Sequence, residues 1–310
     1  MNRAFQHLLV VQQYNQDDEL ALQRAIMLAE QHQSRLTIFK SFHKYPAAIH
    51  ADSLNSPDAK QAFIGQQQQL IHQQVDKLTK HNLALNIIIS WQDNDRQALE
   101  KLTQQTDISM IIKLQYQRRG LLSFLPDWLE HYLISDCELP VWLVKASSAV
   151  KDMHILACVD IDSERSSNQR LNDAILALGT EISQHNTEQL QVINCYCNDD
   201  VSMSLPYHSD IGFEPLPDAA GQHTAKLQPY LEQHHLRPEQ LHLSEGLVDD
   251  EVPKAVYKLH SDLAIIGNNH MYTLSSALLT DTAHYLSTHT PCDVLVVKPQ
   301  ASYQLSLATT

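Results

Sequence analysis

The sequence predicts an α/β protein built from two doubly wound, five-stranded parallel-sheet domains in tandem. Three observations carry that prediction. Strand-length runs such as Leu8–Val11 and Ile155–Val159 are apolar throughout rather than alternating, as befits a parallel sheet covered on both faces. Segments of helical periodicity separate these runs, the alternation that winds helices over both sides of a sheet. The order of elements in the first half then recurs in the second, so the chain carries an internal repeat.

In the first half, Leu8–Val11 is followed by polar Gln12–Asp18 and then by ELALQRAIMLAEQH, which places Leu20, Ala21, Ala25, Leu28 and Ala29 on one helical face. In the second, Ile155–Val159 leads through polar Asp160–Ser167 to QRLNDAILALGTEI. The β-branched and aromatic runs Arg35–Phe42 and Gln189–Tyr196 read as second strands. Each precedes a long polar loop and a helix, Lys60–Asn82 in one half and Gly221–Leu236 in the other. Strand Leu85–Trp91 then matches Gln240–Glu245, and helix Arg96–Gln105 matches Glu251–His260. Thr106–Leu114 matches Ser261–Asn269, and Cys137–Lys145 matches Pro291–Pro299. The predicted Rossmann-like domains span residues 1–146 and 153–302, joined by 147–152 and followed by a tail at 303–310.

The 310 residues are 43% hydrophobic and 19% charged, enough apolar content for two ordinary cores. No apolar run reaches the roughly 18 residues of a membrane span, and Leu8–Val11 is too short for a secretory signal. A soluble, cytoplasmic protein is expected. Five cysteines, an odd number set in apolar stretches, suit reduced thiols better than a disulfide framework. The net charge of −14 is uneven: residues 1–150 hold 14 Lys+Arg against 15 Asp+Glu, and the remainder hold 8 against 21. An acidic second half repels phosphate backbones, which argues against direct nucleic-acid binding.

Several stretches carry a family resemblance: Asn15–Leu22, Asp127–Lys145, Val159–Glu164, Glu245–Gly267 and Cys292–Pro299. In order and spacing, over almost the whole chain, they resemble the tandem universal stress proteins. The resemblance implies an adenine-nucleotide-hydrolase-like α/β fold and two domains about a pseudo-twofold axis, an intramolecular mimic of the dimer formed by single-domain members. In that arrangement the last strands, Val141–Lys145 and Val294–Lys298, pair and protect each other's edges. It also implies a cytoplasmic location and roles in resisting stress and DNA damage.

Many members bind ATP beyond the carboxyl ends of the strands, using an Asp after the first strand and a G-x2-G-x9-G-[ST] segment. Glycines let backbone N–H groups reach phosphate oxygens, and a helix start favours negative charge. The second half retains part of this. Asp160 and Ile161 follow the first strand, and Gly267 with Asn268 opens the phosphate segment. His270 then stands at the second glycine, Thr280 at the third, and Asp281, just before Thr282, at the [ST] position. Losing two or three hydrogen bonds to a charged group costs about 3–9 kcal/mol, at least ~10² in affinity. ATP or another nucleotide is therefore disfavoured. In the first half Gln13 replaces the Asp, and Lys113–Trp128 contains only Gly120. The cluster Lys113, Arg118 and Arg119 reads as an exposed loop charge run.

The 18 histidines include no HExxH, and no C-x2-C pair accompanies them, so no metal site is expected. Cys195 and Cys197 read as small buried residues on one face of a strand, and His234–His235 as the end of a helix. The long loops Phe42–Pro57 and Asn198–Ala220, the second with Pro206, Tyr207, Phe213, Pro215 and Pro217, suit ordered flaps. A flap over an apolar cleft would admit an amphiphilic ligand as readily as a nucleotide. The leading reading is a non-enzymatic protein acting through a small molecule or partner bound in the second half. One alternative is a weak ATPase or nucleotidyl-transfer enzyme, with Asp160, Asp162 and Asp281 holding Mg²⁺. The other is a ligand-free interaction scaffold, and further homodimerisation is compatible with each.

Overall fold

A computed structural model describes residues 3–13, 18–42, 57–90, 94–115, 128–145, 152–162, 166–183, 186–196, 218–269 and 282–299. Among them are ten strands and eight α-helices. The chain divides into two compact units, one over Met1–Ala146 and the other over Ser147–Gln300.

The first unit runs β1 (His7–Gln13), α1 (Glu19–His32), β2 (Arg35–Ser41), α2 (Pro57–Leu78), β3 (Ala84–Ser90), α3 (Asp95–Gln105), β4 (Met110–Leu114), α4 (Trp128–Ser135) and β5 (Val141–Val144). Its strands lie in the order β3-β2-β1-β4-β5, all parallel. Every residue of β1, β4 and β5 is buried, the reason their sequences do not alternate. Helix α1 turns Ala21, Leu22, Ala25, Leu28 and Ala29 inward. It stops at Gln33, whose left-handed φ of 54° lets its N–H reach the Ala29 carbonyl. Helix α3 is capped by Asn94, whose side chain accepts from the N–H groups of Arg96 and Gln97.

The second unit repeats the plan: β6 (Ile155–Cys158), α5 (Ser166–Ile182), β7 (Leu190–Tyr196), α6 (Ala219–Gln233), β8 (Leu241–Glu245), α7 (Val248–Lys258), β9 (Leu263–Gly267), α8 (Thr282–His289) and β10 (Asp293–Val297). Its order is β8-β7-β6-β9-β10, again all parallel.

The predicted elements are all present, with ends displaced by a few residues. Helix α2 begins earlier than expected because Pro57 suits a first helical position. Helix α7 begins at Val248, ahead of the predicted Glu251, because Asp249, Asp250 and Glu251 all fall in a first turn that favours acids. In each unit the chain leaves the first strand toward one side and reaches the fourth strand on the other. Strand order thus reverses between β1 and β4, and between β6 and β9, and a crevice is expected beyond their carboxyl ends.

Candidate functional site: a cleft in the second unit

At that point in the second unit lies a cleft of about 420 Å³. Its floor is apolar: Leu171 and Ile175 from α5, Ile193 from β7, Val252 from α7 and Ile266 from β9. The thiols of Cys158 and Cys195 complete it. Its rim is polar and comprises Asp160, Asp162, Asn168, Asn172, Asn269 and Thr282.

The rim is built by α5. Asn168 and Asn172 lie four residues apart, on one helical face, and both clasp the turn after β6. Asn172 Nδ2 donates to the Asp160 carbonyl at 2.6 Å, and its Oδ1 accepts the Asp160 N–H at 3.1 Å. Asn168 Nδ2 donates to Asp160 Oδ2 at 3.0 Å, while Asp160 Oδ1 accepts the N–H of Asp162 at 3.0 Å. Asn269 Nδ2 donates to Asn168 Oδ1, tying the end of β9 into the same set. Behind the turn, buried Asn194 on β7 donates from Nδ2 to the Val159 carbonyl at 2.9 Å. Its Oδ1 faces His223 Nδ1 of α6 at 2.6 Å, and His223 Nε2 lies 3.3 Å from Asp162 Oδ1. The turn bearing the two carboxylates is thus fixed from three elements.

Gly267 keeps the cleft open at its base. A Cβ there would stand 2.6 Å from Leu171 Cδ2 and 3.0 Å from its Cγ. The missing side chain therefore serves helix–strand packing, since the close approach is to α5. Burial, with Cys195 and Cys292 close by, pushes the Cys158 thiol well above its ordinary pKa, away from the reactive thiolate. Among the described residues, no group of three or more His, Cys, Asp or Glu could hold a metal ion. The arrangement is equipped to enclose an apolar body and to hydrogen-bond or charge-pair with a polar end.

The site residues expected from sequence fall into three groups. Asp160, Gly267 and Thr282 line the cleft together. Ile161 and Asn268 are buried beside it and are not among its lining residues; the Asn268 N–H is spent on the Val297 carbonyl at 2.8 Å. His270, Thr280 and Asp281 lie outside the described residues. So do Arg118, Arg119, Gly120 and Cys197, the loops at 43–56 and 197–217, and the tail at 303–310. Sequence reasoning missed Asn168, Asn172, Asn194, His223 and Asn269. The Asn-x3-Asn spacing at the start of α5 was the one signal available for two of them.

Two expectations need correction. Cys195 is half-buried and faces the cleft instead of lying sealed in the core. Lys113 is no exposed loop charge: its side chain is fully buried, and Nζ donates to Glu130 Oε1 at 2.9 Å and to the Leu114 carbonyl at 3.0 Å. The reason is its place inside β4, where both faces of the sheet are covered.

Lys113 belongs to a set of side chains buried at the equivalent place in the first unit. Ile155 repeats Leu8, and because Leu8 pairs with Met110 as Ile155 pairs with Leu263, Lys113 and Leu114 occupy the positions of Ile266 and Gly267. By the same repeat, Arg24 takes the position of Leu171 and Gln13 that of Asp160. Arg24 and Lys113 are fully buried, and Leu114 and Gln13 are buried as well. Gln13 Nε2 points at Asp95 Oδ2 across 3.5 Å, and Ser41 Oγ donates to Asp95 Oδ1.

At the opposite end of the first sheet stands an Asp–His–Thr chain that sequence reading did not anticipate. His7 Nδ1 lies 2.9 Å from Asp107 Oδ1, and Nε2 lies 2.8 Å from Thr37 Oγ1. The order resembles a nucleophile triad, but Thr37 is only 2% exposed and has no room for a substrate. Arg35 also pairs with Asp107, and the network locks strand ends together.

Two doubly wound units in tandem, the second with an open cleft where its strand order reverses, define a two-domain α/β protein. The universal stress protein family model matches residues 4–145 and again 153–298, and the chain belongs to that family. Universal stress protein E of Escherichia coli K12 is 25% identical over 306 residues, covering 95% of this chain and 94% of its own. The universal stress protein E homolog of Haemophilus influenzae is 21% identical over 304 residues, 95% and 98% of the two chains. Among solved structures, a functionally unknown protein from Pseudomonas aeruginosa PAO1 superimposes with a TM-score of 0.69 at 22% identity, covering 96% of this chain and 94% of its own. A universal stress protein from Archaeoglobus fulgidus gives 0.60 at 11% identity, with 95% and 98% covered. These structures share the fold. No described helix is long and apolar enough to cross a membrane.

Proposed function

We propose that this protein is a non-enzymatic, cytoplasmic stress protein whose second unit binds a small amphiphilic molecule, with the first unit as a closed scaffold. The observation that carries the reading is the cleft itself: about 420 Å³, apolar at the floor and ringed by amides and carboxylates. It lies where ligands bind in open α/β sheets. The first unit, with Arg24, Lys113 and Leu114 buried at the corresponding positions, supports the assignment of ligand binding to the second.

In this reading ATP binding through the family's phosphate segment is lost. The described lining includes no Lys or Arg, and Gly267 is committed to contact with Leu171. The stress context follows from family membership, and the resistance to DNA damage that the family resemblance implies would be exerted through the bound molecule or a partner.

The test is native mass spectrometry of freshly purified protein, alongside Leu171→Arg, which copies the first unit's residue into the cleft floor. A stoichiometric adduct lost in Leu171→Arg, with the variant folded by circular dichroism, is the expected result. A bare mass together with a thermal shift induced by ATP would overturn the reading in favour of a nucleotide site.

A further inference from the structure

The charges around the cleft say more about its ligand than the cavity does. Two carboxylates, Asp160 and Asp162, stand on the rim, and Asp162 is 64% exposed on its side chain. The start of α7 borders the same cleft through Val248 and Val252. A helix start ordinarily attracts an anion, but this one carries Asp249, Asp250 and Glu251 in its first turn. Its partial positive charge is taken up by its own acids. Burial and the neighbouring Asp250 raise the Asp249 carboxyl, and Thr282, on the cleft rim, hydrogen-bonds to it. Glu251 is held by Lys254 Nζ at 2.7 Å and by Ser244 Oγ at 2.5 Å, so the nearest lysine on α7 is paired away from the cleft. Among the described lining residues there is no Lys or Arg.

The remaining polar groups point the same way. One side-chain N–H of each of Asn168, Asn172 and Asn269 donates within the protein, to Asp160 Oδ2, the Asp160 carbonyl and Asn168 Oδ1 respectively. Each Asp160 oxygen accepts one described hydrogen bond, and an ionised carboxylate offers about four lone-pair sites in all. The rim thus has carboxylate acceptors to spare, while one N–H of each of the three amides is already in use. Below it the floor is aliphatic and thiol. At the mouth Val248 is 39% exposed and the adjoining Leu247 66%, an apolar lip along which a longer hydrocarbon can lie.

We infer that the ligand of this cleft is an amphiphilic cation: an apolar body seated on Leu171, Ile175, Ile193 and Ile266, with a protonated amine or other N–H-bearing cationic head at the Asp160–Asp162 turn. The inference rests on the small-molecule reading above and adds to it the sign of the ligand's charge. A phosphate-bearing ligand would meet the two carboxylates, and the described lining offers it no Lys or Arg; His223, the basic group beside them, already faces Asp162.

Isothermal titration at pH 7 with three probes of equal chain length, octylammonium, octanol and octanoate, together with Mg²⁺–ATP, tests it. Octylammonium should bind at least tenfold more tightly than octanol, with octanoate weakest, and added salt should narrow the gap. Asp162→Asn, at an exposed position, should bring octylammonium to within about threefold of octanol while leaving octanol unchanged. Leu171→Arg should abolish all three. Octanoate or Mg²⁺–ATP binding as well as octylammonium would overturn the charge assignment and leave the cleft reading standing. Failure of every probe, or binding untouched by Leu171→Arg, would overturn both.

Discussion

The two units share a strand order and a helix plan, yet they treat the same place in opposite ways. In the first, long side chains are buried at the crevice between β1 and β4, with Arg24 and Lys113 fully buried and Leu114 where the repeat has a glycine. In the second, Leu171, Ile266 and Gly267 leave about 420 Å³ open. Closing a crevice with charges is costly, because each buried ion loses its hydration and must be repaid by a well-placed partner. Glu130 is that partner for Lys113. The comparison teaches that a duplicated fold can line the same switch point differently without disturbing the backbone, by exchanging three or four side chains on the helix and strand that face each other there.

The largest expected effect breaks the closed unit. Glu130→Ala would leave the Lys113 ammonium buried without its carboxylate, a loss of about 3–5 kcal/mol. The double variant Lys113→Met with Glu130→Leu removes both charges at similar volume and should return stability to within about 1–2 kcal/mol of the parent. Urea unfolding with a probe confined to the first unit, such as Trp142 fluorescence, measures both. Glu130→Ala costing under about 1 kcal/mol would mean that the pair behaves as a surface ion pair and does not close the unit.

The open unit can be closed by a smaller step. Gly267→Ala places a methyl group against Leu171 Cδ2 and Cγ, forcing that side chain to shift. Overpacking of this kind costs about 1–3 kcal/mol; the low end is expected here, because the nearest atom ends a side chain that can rotate into the cleft. Affinity for a cleft ligand should fall tenfold or more while the melting temperature drops by only a few degrees. A large loss of stability with binding intact would show that Gly267 serves packing alone.

Much of this was legible in the sequence, and the boundary of what was not is physical. Strands buried on both faces announce themselves by composition, so β1, β4, β6 and β9 and the repeat relating them could be read directly. Asp160 and Gly267 came from the family resemblance, and they sit at strand ends, where position in the repeat fixes position in space. The amide clasp was not, since Asn168, Asn172, Asn194 and Asn269 come from α5, β7 and the end of β9. Their meeting depends on register and helix rotation. Lys113 was misread for a related reason: a lysine beside two arginines looks like a solvated run, and only its pairing with Val11 in the sheet interior puts it next to Glu130. Ile161 and Asn268 are buried next to lining residues without lining the cleft themselves, since neighbours along an extended chain point to opposite faces.

The smallest expected effect concerns the far ends of the sheets, where the contrast between units is reversed. His7 and its repeat partner His154 both have their backbone N–H bound by a side chain from the fourth-strand approach, Ser109 Oγ at 3.0 Å and Asp262 Oδ2 at 3.0 Å. In the first unit a further layer closes over the ring: His7 meets Asp107 and Thr37, Arg35 pairs with Asp107, and the His7 side chain is 9% exposed. In the second, His154 stands 59% exposed, 3.6 Å from Asp262. Hydrogen bonds from Arg35, and then from His7, hold the Asp107 carboxyl down at about 2. A carboxyl lowered on folding contributes stability above its unfolded pKa, and that contribution disappears as pH falls through the folded value. The window is therefore about pH 4 to 2. Asp107 is 66% exposed, so solvent screening reduces the contribution to about 0.5–1 kcal/mol. Asp107→Asn should cost that much near pH 6 and progressively less toward pH 2.5, measured by urea unfolding at each pH. A cost that stays constant to pH 2.5 would assign the network's value to hydrogen-bond geometry and not to charge, removing the electrostatic part of the contrast between His7 and His154.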